Sequence, residues 1–172
     1  MNILSGSINS ENWEETITDS RFSISEVERY INESYQIGHD AKDEETRSEL
    51  KATFDRNILQ TNQIAEKLLA YLRELDIHPI AAYLKIDTIS NFSIIFTVGL
   101  EDYISSQLLK AYDWISDIEK SSRNKNYTID LSFMHGDEHL NLECLNADGF
   151  KFRSKTLYAQ QKTSRNPQQQ SM

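Results

Sequence analysis

The chain has 172 residues, a net charge of −9 and 38% hydrophobic residues. That length fits one ordinary domain with an appendage, large enough to bury a core without covalent staples. The lone Cys144 excludes an intrachain disulfide and a multi-cysteine zinc site, and no stretch approaches the roughly 18 apolar residues of a membrane span.

Charge is unevenly spread. Between Glu11 and Glu49 there are twelve acids and four bases, whereas five bases and no acids follow Asp148. An acidic head argues against phosphate binding by that region. It fits a basic protein partner, or simply a solvated helical face. The N-terminus MNILSGSINSENWEE shows neither a basic nor an apolar targeting region, so a soluble, cytoplasmic protein is expected.

Residues 1–20 are polar and predicted to be poorly ordered, with Trp13 and Ile17 able to dock as one amphipathic turn. Residues 21–77 read as an acidic helical hairpin. Its first helix opens on a capping box, Ser25 with Glu28, and stops at Gly38. The second runs from about Asp43 to Leu75. Its apolar positions, Leu50, Phe54, Ile58, Ala65, Leu68, Leu72 and Leu75, recur at steps of three and four, with Thr61 as the weak link. So long a seam is predicted to pack on the first helix or on a second copy of the chain. The binding residues expected from this region are Leu50, Phe54 and Ile58 on the seam, with Glu44, Glu45 and Glu49 as its acidic flank.

From residue 78 to 157 the pattern changes to an α+β sheet domain. Ile80, Ala82, Leu84 and Ile86 alternate, as do Phe92, Ile94, Phe96 and Val98, which predicts an antiparallel pair with Ile86 opposite Phe92. A helix over about 101–120 buries Ile104, Leu108, Ala111, Ile115 and Ile118. Three strands are predicted after it, over 127–134, 139–145 and 150–156. Gly136-Asp137 reads as a hairpin turn and Ala147-Asp148-Gly149 as a bulged one. The fold class is therefore α+β, with an N-terminal helical hairpin and an antiparallel sheet in the order β-β-α-β-β-β. One helix packs on the apolar face of that sheet. Residues 158–172 read as a disordered polar tail.

The densest reactive stretch is FMHGDEHLNL, residues 133–142. In the predicted hairpin His135 and His139 fall on opposite sheet faces and cannot share one metal ion. His39-Asp40 lacks the upstream histidines that metal-dependent phosphohydrolysis would need. The best constellation is a row on the polar face, Asp130, Glu143 and Arg153, with His139 on the same side. Two carboxylates at cross-strand distance can share a proton or a divalent ion, and the arginine suits an anion. The same row also reads as a solvated ion-pair face. Cys144 is placed on the apolar face.

No phosphate-cradling loop, zinc spacing or aromatic-basic interleaving is present, so no cofactor is expected and nucleic-acid binding is disfavoured. The reading that fits most of these features is a non-catalytic protein-protein interaction module, an adaptor, chaperone-like factor or neutralising partner. A homodimer through the long helix is compatible with it. The alternative is a metal-dependent hydrolase or nuclease built on Asp130 and Glu143.

Overall fold

The computed structural model describes residues 12–16, 29–34, 44–137, 139–155 and 157. The Ser25–Glu28 capping box, the Gly38 stop and the tail from residue 158 lie outside the described residues. In chain order the elements are β1 (Trp13–Glu15), α1 (29–34), α2 (Glu44–Glu74), β2 (Pro79–Thr88), β3 (Asn91–Val98), α3 (Leu100–Tyr103), α4 (Ser106–Ser122), β4 (Thr128–His135), α5 (Leu142–Ala147) and β5 (Phe152–Ser154). The protein is mixed α+β, with five strands in one open sheet ordered β1-β5-β2-β3-β4.

The central hairpin follows directly from alternation. Ile86 faces Phe92, Leu84 faces Ile94 and Ala82 faces Phe96; a register shift between Pro79 and Ala81 then brings Pro79 opposite Val98. The Thr97 hydroxyl serves the irregular stretch, accepting from the Ala81 N–H at 3.0 Å and donating to the Ala81 carbonyl at 3.3 Å.

Beyond this hairpin the expected topology is corrected. β4 pairs with β3, and the pair is parallel, with Phe92 beside Ile129 and Phe96 beside Phe133. The intervening α3 and α4 supply the long crossover that a parallel neighbour requires. Residues 139–145 form no strand. Asn141 caps α5 instead, its side chain accepting from the Cys144 N–H at 3.1 Å. Gly149, at φ 96°, ends that helix as the Phe150 N–H reaches back to the Leu145 carbonyl at 2.9 Å. Gly136 is no turn glycine: a Cβ there would stand 2.6 Å from the Thr97 Cβ, so it is needed for room. β5 joins the other side of the sheet, with Leu84 opposite Phe152, and β1 closes that edge, with Trp13 opposite Ser154. Trp13 thus docks through a strand and not through a helical turn.

One helix was expected over 101–120; there are two. Ser105 caps α4 by accepting from the Gln107 N–H at 3.1 Å, and the break turns Ile104 outward, where it is 74% exposed. Leu108, Ala111 and Ile115 remain the buried stripe.

A single hydrophobic cluster joins α2 (Phe54, Ile58, Leu68, Leu72) and α4 to the sheet face carrying Leu84, Ile94, Phe96, Ile129 and Phe133. Trp13, Tyr30 and Ile31 belong to the same cluster. The described helical residues, Tyr30 and Ile31 of α1 and the inward face of α2, therefore share one interior with the sheet. Tyr71 stacks on Trp114 at 5.8 Å, fastening α2 to α4. On the opposite face, Leu142, Leu145 and Phe150 pack with Ala81, Tyr83, Ile95 and Met134. The face read as polar throughout is thus partly covered.

Candidate functional site

The predicted polar row does not assemble. Asp130 lies exposed on β4, Glu143 lies exposed in the first turn of α5, and Arg153 lies on β5. Two strands separate β4 from β5. Three inter-strand spacings put Asp130 about 14 Å or more from Arg153. Arg153 instead directs its Nε and Nη2 onto Glu14 Oε1 at 3.2 and 2.7 Å. Tyr83 is its neighbour on the other side. Burial raises the Tyr83 pKa, and the Arg153 charge offsets part of that rise. The row that does form, Glu14–Arg153–Tyr83, ties the edge strand β1 to the sheet.

His139 is exposed, and its backbone N–H donates to Asp137 Oδ1 at 2.8 Å in a local turn. Cys144 is exposed, not on an apolar face. Among the described residues no group of three or more His, Cys, Asp or Glu side chains could hold a metal ion. Likewise, among these residues no helix is long and apolar enough to cross a membrane.

The expected binding seam is also corrected. Phe54 and Ile58 are buried in the chain's own core, and the partly buried Leu50 packs against it, so these side chains are not offered to a partner. Glu44 and Glu45 open α2, and Glu49 is exposed one turn on. The polar breaks in the seam prove structural. Asn57 Nδ2 donates to the carbonyls of Ile89 and Asn126 at 2.9 and 2.8 Å, holding two loops to α2. Thr61 meets the Tyr127 hydroxyl at 3.0 Å, and Asn62 accepts from Trp13 Nε1 at 2.6 Å. The signal for these roles is a polar residue at an inward helical position, where only a partnered polar group is tolerated.

The surface carries one concentration of exposed apolar side chains. Six large hydrophobic residues are exposed among the described ones, and five of them, Leu100, Tyr103, Ile104, Leu109 and Tyr112, fall within α3, its C-cap and the first half of α4. Ile104 and Leu109 are 74% and 67% exposed. The two aromatic rings fix how these elements meet. Tyr112 stands edge-on to Phe133 at 5.3 Å, and Tyr103 lies 6.4 Å from the ring of His135. Phe133 and His135 are two apart on β4, hence about 7 Å along one face. Tyr103 and Tyr112 therefore stand side by side over the end of β4. Leu109, one turn before Tyr112, extends the same strip.

β4 is the last strand of the described sheet, so this strip borders a sheet edge. The sequence around it, residues 100–117, carries Glu101, Asp102, Asp113 and Asp117 against the single base Lys110. On the far side of α4, an open groove of about 430 Å³ runs along α2, lined by Arg56, Leu59, Gln63, Lys67, Ile118 and Ser121 among others. Comparison with protein-family models, curated proteins and solved structures finds no match.

Proposed function

We propose that this chain is a non-catalytic protein-binding module whose docking surface is the acid-rimmed apolar strip of α3 and α4. The observation that carries the reading is the concentration of exposed Leu100, Tyr103, Ile104, Leu109 and Tyr112 within α3, its C-cap and the first half of α4. Clustered apolar side chains ringed by charge mark association surfaces, whereas scattered ones need no explanation. Tyrosine and aliphatic anchors within a polar rim match the anatomy of such interfaces. The acidic rim favours a partner with a basic margin, which it would steer and orient.

The test is capture of host proteins on the full chain and on two single variants. Leu109→Lys changes the strip, and Leu59→Lys changes the exposed apolar residue that lies outside it. The wild type and Leu59→Lys are expected to retain the same specific partner, and Leu109→Lys to lose it. Identical retention by all three would contradict the proposal.

A further inference from the structure

Resting on that reading, we propose that the partner of the α3–α4 strip is a second copy of this chain, whose α2–α4 groove receives the strip head to tail.

The fold builds the groove by running α2 and α4 in opposite directions. Tyr71 stacks on Trp114 at 5.8 Å toward one end of the pair. Toward the other, Asn57 Nδ2 donates to the Asn126 carbonyl, just past α4, at 2.8 Å. Between these fastenings Arg56, Gln60, Gln63 and Lys67 recur on α2 at steps of four, three and four, so they share one flank of the helix. Leu59, Ile64 and Ile118 supply the apolar lining. The volume of about 430 Å³ is that of a binding cleft.

Its charge is the reverse of the strip's. Among the described residues the charged ones that line it are Arg56 and Lys67, both bases, in a chain with 27 acids and 18 bases. They stand about 16 Å apart along the helix. Neither forms an ion pair with a described residue; Arg56 reaches only Thr53 Oγ1 on its own helix, at 3.5 Å. Lys120, Arg123 and Lys125 carry the basic character past the end of α4, with no acid between residues 120 and 129.

The two surfaces match in order as well as in sign. In the groove, Leu59 and Ile64 lie between the bases Arg56 and Lys67. In the strip, Glu101 and Asp102 precede Ile104 and Leu109, and Asp113 and Asp117 follow them. Ile104 and Leu109 are the strip's most exposed side chains and the ones to enter. Leu59, 51% exposed, is the large exposed hydrophobic residue that the strip leaves out among the described ones, and this contact covers it. The apolar contact supplies affinity and the charges supply orientation. A net charge of −9 on each copy opposes approach. Physiological salt, however, screens charges more than about 8 Å apart, and the opposite pairs at the contact remain. Strip and groove are different patches, so the interface is heterologous and not a two-fold one.

Light scattering of the full chain across concentration tests this. The average mass of the wild type is expected to rise between about 10 μM and 1 mM. Leu109→Lys spoils the strip and Leu59→Lys spoils the groove, and each alone is expected to stay monomeric. Mixed in equal amounts, they are expected to form a one-to-one dimer that grows no further, because the first still offers its groove and the second its strip. For the same reason Leu59→Lys still captures a native copy from the host. Arg56→Glu with Lys67→Glu is expected to weaken association about tenfold. Variants that fail to complement, association that survives Leu59→Lys alone, or indifference to the reversal of Arg56 and Lys67 would each overturn head-to-tail docking. A wild type that stays monomeric up to about 1 mM, yet retains a different host protein through Leu109, overturns the second copy and leaves the docking surface standing.

Discussion

Tyr127 shows how a single side chain reports the state of the whole interior. Its hydroxyl lies 3.0 Å from Thr61 Oγ1, and Thr61 spends its own proton on the Asn57 carbonyl at 2.9 Å. Tyr127 must therefore be the donor in the first bond. Ionisation would remove that proton and leave a phenolate in the core. Burial pushes the Tyr127 pKa up from 10.0 to about 12. Because the folded value is raised, the stabilisation is complete below the unfolded pKa and is lost as pH climbs through the folded one. Over the window from 10 to about 12, the wild type should lose roughly 2 to 3 kcal/mol relative to Tyr127→Phe. Denaturant unfolding of both proteins across that window measures it; a constant gap between them would contradict this account of Tyr127. None of this is legible in the sequence beyond the fact that Thr61 interrupts an apolar seam. The partner of a buried hydroxyl is set by tertiary contact, not by spacing.

At the scale of elements, alternation told which face a strand buries but not which strand it joins. Tyr127, Ile129, Leu131 and Phe133 are all buried, as the pattern of two requires, yet their neighbour is the parallel β3 and not the segment that follows. An apolar strand fits a parallel or an antiparallel partner equally well. The segment 139–147 misled for a related reason. Leu140, Leu142 and Cys144 alternate, but Leu142 and Leu145 are three apart and lie between an Asn cap and a Gly stop, the signature of a short helix. Gly149 carries the positive φ that a bulged hairpin would also have demanded, so the residue type was read correctly and the motif was not.

The long helix ends on a comparable device. Asp76 adopts φ 59° while the Ile77 N–H donates to the Leu72 carbonyl at 2.9 Å, a left-handed stop usually held by glycine. Asp76→Gly is therefore expected to raise stability by about 0.5 to 1 kcal/mol, measured by chemical denaturation. A loss of stability would show that the aspartate side chain matters more than the backbone strain it carries.

For the molecule as a whole, the structure divides the apolar surface into what folding uses and what it leaves out. α2, read as a seam for a partner, is consumed internally: its inward residues meet the sheet, and its polar breaks anchor Trp13, Tyr127 and two loops. The acidic, helical character of the chain was legible, but the candidate surface was not. A continuous apolar pattern puts Ile104 in the buried stripe, and only the Ser105 cap, which splits the helix, turns it outward.

If the strip of α3 and α4 serves association, as proposed, its exposed side chains contribute little to folding. The most direct measurement of this is the unfolding free energy of the double variant Ile104→Lys/Leu109→Lys. Each substitution is expected to change stability by no more than about 0.5 kcal/mol, as exposed positions do. A combined loss of about 3 kcal/mol or more would place these side chains inside the fold and contradict it.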